Sequence, residues 1–131
     1  MTTVAEYHQA VKARLIADPL VLQFDIQRER RTTDDGYLRA RLLLDNQEEL
    51  EFSEYVRRVR DQVQVVTYSF HWTDAKGKLI CRWDNAPHYP DLPQAPHHIH
   101  DGHQDNVLPS ASMTITEVLD KIAEVSALRG R

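Results

Sequence analysis

The sequence predicts an α+β domain, an antiparallel meander of five to six strands with an N-terminal and a C-terminal helix packed on one face. Three observations carry this. At both ends of the chain, apolar residues recur every three or four positions, whereas between residues 20 and 84 they alternate with polar ones. Turn-forming clusters break the alternation at 34–36 (DDG), 45–48 (DNQE) and 74–77 (DAKG). Turns this short join antiparallel neighbours and leave no room for crossovers.

The first helix is expected over Val4–Ala17, with Val4, Tyr7, Val11 and Leu15, joined by Ala10 and Ala13, on its apolar face and Pro19 ending it. His8 lies on this surface helix, and a structural, hydrogen-bonded role is the expected one for it. Residues 20–31 then alternate Leu20, Leu22, Phe24 and Ile26 against Val21, Gln23, Asp25, Gln27 and Glu29, a strand with one wet face. At 34–36, Gly36 is expected to supply the positive φ of a tight hairpin. The partner strand, 37–44, turns Leu38, Ala40, Leu42 and Leu44 inward and Arg39 and Arg41 outward. In the third strand Leu50, Phe52 and Val56 oppose Glu51, Ser53, Tyr55 and Arg57. The fourth, 63–73, sets Val66, Tyr68, Phe70 and Trp72 against Val65, Thr67, Ser69 and His71, and the fifth covers 78–84. Near the C-terminus, Thr114 and Glu117 form a capping box for a closing helix over 114–129, which buries Ile115, Val118, Leu119, Ile122 and Val125.

All 131 residues are expected to form one domain, with a sheet core at 20–84, a Pro/His-rich segment at 84–110 and the closing helix. A net charge of −4 gives no general attraction to nucleic acid or anionic membranes. No apolar run approaches the ~20 residues of a membrane span, and no secretory leader is expected. The single cysteine, Cys81, excludes an internal disulfide and suits a reducing cytoplasm, where packing is its expected role.

The 84–110 segment holds five of the seven histidines and five of the six prolines, with no Lys or Arg. Pro87, Pro90, Pro93 and Pro96 fall at intervals of three, the period of polyproline II. Such a ribbon would carry one apolar stripe (Tyr89, Leu92, Ala95) and one polar stripe (His88, Asp91, Gln94, His97), continued by His100 and His103.

Away from the helices, the sheet presents Asp25, Glu29, Arg39, Arg41, Tyr55, Arg57, Ser69, His71, Arg82 and Asp84. Cross-strand ion pairs on a solvated face are one reading of these residues. The other is a concavity in which Arg39, Arg41, Arg57, Tyr55 and Arg82 hold a phosphodiester while histidines move protons.

Distances limit which histidines cooperate. Along a polyproline ribbon, His88 and His97 would lie about 28 Å apart, too far to share an ion. At i and i+2 of an extended segment, His98 and His100 point the same way. HHIH at 97–100, joined by His103 or an aspartate, is therefore the one credible divalent-metal cluster. The alternatives are metal-free general acid–base work by these histidines, and histidines that only satisfy backbone groups.

The motif WDNAPHYPDLP at 83–93, followed by APHHIH at 95–100, resembles the signature of the TumE-like toxin family of prokaryotic type II toxin–antitoxin systems. The sheet–ribbon–helix order resembles that family's too. Tyr89 stands where a histidine is common, and Ile99 where a lysine is often found. The resemblance implies a cytoplasmic toxin neutralised by a cognate antitoxin, commonly a helix-turn-helix DNA-binding protein, and analogy with other small toxins makes RNA, free or on the ribosome, the expected target. A homodimer is also compatible with it. By analogy with other small toxins, metal-free RNA cleavage is the expected mechanism. His97, His98 or His100, with His88 and His71, would then act as base and acid, and Asp84 would orient an imidazole. A protein-binding module and a metal-dependent hydrolase or nucleotidyl-modifying enzyme are the alternatives.

Overall fold

The computed structural model of the chain describes residues 2–87, 91, 95–102 and 106–128. Helix α1 (Val4–Ala17) precedes seven strands, β1 (Val21–Arg31), β2 (Asp35–Leu44), β3 (Glu49–Val59), β4 (Gln62–Thr73), β5 (Leu79–Asp84), β6 (His98–Asp101) and β7 (Asn106–Pro109), and helix α2 (Ile115–Leu128) closes the chain. The strands form one antiparallel sheet in sequence order, an uninterrupted meander.

Both helices lie on the same face of the sheet. Val11 and Leu15 of α1 and Ile115, Val118, Leu119 and Ile122 of α2 pack with Leu38, Leu42, Leu50, Phe52, Phe70, Trp72 and Trp83 in a single core. Each helix begins with a reciprocal capping box. Thr3 and Glu6 exchange hydrogen bonds of 2.9 and 3.0 Å at α1, and Thr114 and Glu117 bonds of 3.0 and 3.3 Å at α2.

Three bulges correct the expected alternation. At Leu22 one falls in β1 opposite β2, so that Val21 is buried and Leu22 is 58% exposed. Gln27 carries a second, after which Glu29 lies on the helix face and meets Lys12 Nζ at 2.6 Å and His8 Nδ1 at 3.2 Å. The third passes over Val66, which faces outward while Val65 packs against the core. One extra residue in a strand reverses every side chain beyond it.

His8 is buried at 1% exposure, and burial pushes its imidazole below its ordinary value despite Glu29. A further expectation is corrected. Gly36 does not supply a positive φ. It lies inside β2, where an added Cβ would come within 2.5 Å of Val4 Cγ1 and 3.0 Å of His8 Cε1. The hairpin itself turns at residues 33–34, where Thr32 Oγ1 accepts from the Asp34 and Asp35 amides and the Thr32 amide donates to the Asp35 carbonyl.

The Pro/His segment is not polyproline II where it is described. Ala95 and Pro96 occupy a turn with a cis peptide bond between them, and residues 98–101 and 106–109 pair as a hairpin that extends the sheet. Most of the proposed stripes, with His88, Tyr89, Leu92 and His103 among them, lie outside the described residues.

Candidate metal centre

Register builds the site. Across the face away from the helices, Ser53, Ser69, Asp84 and His98 stand opposite one another on β3, β4, β5 and β6. One step along, Glu51, His71, Arg82 and His100 form a second row. Directly opposed residues share a face, so the two rows present one continuous patch.

At its β5–β6 end, Asp84 is 5% exposed and His98 1%. Asp84 Oδ1 lies 2.8 Å from His98 Nε2 and accepts the Ala86 amide at 3.1 Å. Oδ2 lies 3.6 Å from His100 Nε2 and accepts Arg82 Nε at 3.0 Å. The other nitrogen of His98, Nδ1, meets the Pro96 carbonyl at 2.8 Å. A carbonyl only accepts, so the hydrogen is on Nδ1, and in the neutral ring Nε2 turns a lone pair toward Asp84. A lone pair against a carboxylate is relieved either by a proton on Nε2 or by a cation shared between the two groups.

One donor atom from each of Asp84, His98 and His100 falls within 4.8 Å of the others. Ligands held at ~2.0–2.1 Å from an ion sit about 3.0–3.4 Å from one another. The 2.8 Å spacing is to Oδ1 and the 3.6 Å spacing to Oδ2, and one donor from each residue falls within 4.8 Å of the others, so the donor set fits a divalent ion once the ligands draw in around it. Two imidazoles and one carboxylate suit a transition metal better than magnesium or calcium, which take oxygen ligands. A backbone carbonyl on the far nitrogen is the usual support of a metal-binding histidine.

Asn85 explains a second part of the motif. Its Oδ1 accepts the Tyr68 amide at 3.0 Å and its Nδ2 donates to the Val66 carbonyl at 2.8 Å. The side chain thus pairs with β4 beside its bulge, where β5 has ended, and holds the turn that follows Asp84.

The sequence-predicted site residues are only partly brought together. His97 is turned to the helix side, where its ring stacks on Tyr68 at 5.9 Å and its Nδ1 lies 3.0 Å from the Tyr68 hydroxyl. His71 adjoins the centre through Arg82, whose Nη1 is 3.5 Å from His71 Nδ1. Burial first, and then the Arg82 charge, push His71 below its ordinary value, against the pull of Glu51. A cavity of about 370 Å³ lies between Arg39, Glu51, Ser53, Ser69, His71 and Arg82. Tyr55 and Arg57 do not line it. Tyr55 donates to Asp35 at 2.8 Å, and the Arg57 guanidinium sits 5.9 Å from the centre of the Tyr55 ring.

Most of these arginines have carboxylate partners. Glu51 binds both Arg39 and Arg41, Glu49 approaches Arg41, and Asp84 holds Arg82. Burial opposes ionisation of Glu51, but the two guanidinium groups hold its carboxyl below the ordinary range. On this face, then, the cross-strand ion pairs are present.

Sequence reasoning missed Glu54, which shares the inward parity of Leu50, Phe52 and Val56 and is 1% exposed. It accepts the Tyr7 hydroxyl and the first amide of α2, at Ile115, each at 2.8 Å, and so ties both helices to β3. Burial raises its carboxyl to about 7.

A single antiparallel meander with both helices on one face and an Asp/His/His cluster on the other defines a small α+β protein with a candidate metal centre. Residues 12–127 match the family described as Toxin TumE, and the chain belongs to that family. Membership implies a toxin–antitoxin pairing. No curated protein and no solved structure matches the chain. Among the described residues, no helix is long and apolar enough to cross a membrane.

Proposed function

We propose that this chain is a metal-dependent toxin, a hydrolase or nucleotidyl-modifying enzyme whose centre is a divalent transition metal held by Asp84, His98 and His100. The observation that carries the reading is the 2.8 Å approach of His98 Nε2 to Asp84 Oδ1 while His98 Nδ1 is held by the Pro96 carbonyl. When bound, such an ion polarises a phosphoryl or carbonyl oxygen and acidifies a coordinated water. Three protein donors leave further coordination positions for water or substrate.

The chain's own groups have distinct parts in this reading. Pro96 fixes the His98 tautomer, and Arg82, on Asp84 Oδ2, fixes the carboxylate plane and sets a positive charge beside the centre. Metal-free RNA cleavage by a His97/His98 pair is less well supported. His97 sits on the other side of the sheet, and His98 is buried with both nitrogens engaged. A general acid or base has to reach the proton it moves. RNA or a ribosome-bound RNA remains the proposed target, and the proposed partner is an antitoxin of the helix-turn-helix class that the resemblance implies.

The test is induced expression without antitoxin. Growth arrest is expected from the wild type and is lost in Asp84→Asn and His100→Ala variants of unchanged helical content. Purified toxin should carry close to one equivalent of zinc, manganese or iron, and a chelator should abolish its action on total RNA or on nucleotide pools. A metal-free protein that still acts in excess chelator overturns the reading.

A further inference from the structure

Beside the centre, the 370 Å³ cavity holds the components of an anion site but not the net charge of one. The guanidinium groups of Arg39, Arg41 and Arg82 are matched by the carboxylates of Glu51, Glu49 and Asp84. Bringing a divalent ion onto Asp84 leaves this neighbourhood two charges positive. On the metal reading above, we infer that the cavity is a phosphate-ester subsite for a single nucleotide unit, and that it attracts its ligand only when the centre is loaded.

The lining matches the chemistry. Arg39 and Arg82 offer planar forks that suit phosphate oxygens, and the hydroxyls of Ser53 and Ser69, opposed across β3 and β4, offer further donors. Arg82 Nη1 can only donate to His71 Nδ1, so the imidazole hydrogen is on Nε2, and the ring is a neutral donor. The volume is at the low end of the roughly 300–1,000 Å³ of ligand pockets, which suits one nucleotide rather than several. Part of the anion's attraction comes from an ion next to the cavity, so phosphate and metal bind cooperatively, and the coupling is reciprocal.

Titration calorimetry with adenosine 5′-monophosphate tests this on the full chain, first stripped of metal and then loaded with Zn²⁺ or Mn²⁺. Loading is expected to raise nucleotide affinity at least about tenfold. Arg39→Gln, at a half-exposed position outside the ligand set, should lose about tenfold in nucleotide affinity and keep full metal stoichiometry. A single-stranded oligoadenylate that competes with the mononucleotide identifies RNA as the source of the phosphate, and a mononucleotide that binds without such competition identifies free nucleotides. Equal nucleotide affinity with and without metal, or an unchanged Arg39→Gln, overturns the subsite while the metal centre stands. A chain that takes up no metal overturns both.

Discussion

Asp84 on β5 and His98 on β6 face each other across the sheet, Oδ1 to Nε2 at 2.8 Å, with the far side of the imidazole anchored to the Pro96 carbonyl. The register that makes this contact also sets His100 opposite Arg82. The centre therefore depends on a four-residue strand late in the chain pairing correctly with the last strand of the main meander.

An ion that binds the folded chain and not the unfolded one stabilises it by about 2.7 kcal/mol at a hundredfold excess over Kd. For a domain of this size that is a rise in Tm on the order of 10 °C. Differential scanning calorimetry should show the rise with Zn²⁺ or Mn²⁺ and not with Mg²⁺ at equal concentration. Asp84→Asn removes the anionic ligand and should abolish most of it. A wild-type melting curve indifferent to every divalent ion would sink the assignment.

Much of this arrangement was legible in the residues, and the remainder was hidden for physical reasons. The alternation that turns Leu38 and Leu42 inward places Arg39 and Arg41 outward without ambiguity, and His98 and His100 are aligned by their i, i+2 spacing alone. Their meeting with Asp84 was not readable, because it needs the β5–β6 register, and the prolines around that segment suggested a ribbon instead of a hairpin. Bulges at Leu22 and Val66 leave no mark in a pattern where the extra residue is itself apolar. The spacing of His8 from Val4 and Val11 puts it on the buried stripe of α1, where its Nδ1 meets Glu29.

His97 and His98 are neighbours in sequence on different sides of the sheet, and single alanine variants should separate them. His98→Ala is expected to lose metal binding and growth arrest together, and to destabilise by about 2–5 kcal/mol by emptying the space of a buried ring. His97→Ala removes a stack on Tyr68 and one hydrogen bond, at a cost of about 1–2 kcal/mol, and should keep full metal stoichiometry. Urea unfolding with metal analysis on each variant checks both. Equal metal loss in the two would show that the face assignment is wrong.

Gly102 follows β6, with its amide donating to the Ile80 carbonyl at 3.1 Å. A Cβ there would stand 1.9 Å from the Leu79 carbonyl oxygen, a backbone atom that cannot rotate aside. Gly102→Ala must therefore push β6 off β5 and carry His98 and His100 away from Asp84. At least tenfold weaker metal affinity is expected from a protein whose two helices still form, read by chelator competition beside far-UV circular dichroism. Gly77→Ala is the control for backbone strain without this contact, because Gly77 has a φ of 83° with no atom within 4 Å of an added Cβ. It should lose stability and retain metal affinity.

Glu54 contributes a pH dependence of definite sign. Burial raises its carboxyl from the ordinary 4.5 to about 7, so between those values the folded chain holds a proton that the unfolded chain has released. Folding stability from this group is greatest below pH 4.5, falls as pH rises through that window, and levels off above about 7. The gap corresponds to a loss on the order of 3 kcal/mol. Glu54→Gln keeps the size of the side chain. Its carbonyl can accept the Ile115 amide while its amide donates to the Tyr7 hydroxyl, replacing both contacts without a titrating group. The difference in unfolding free energy between variant and wild type should therefore shift in favour of the variant from pH 5 to pH 8. Urea denaturation at half-unit pH steps measures it, and taking the difference cancels His8 and every other titrating group common to both chains. A difference that stays flat across the window would mean that Glu54 is ionised in the core at pH 5, with the Tyr7 and Ile115 donors outweighing the cost of burying it.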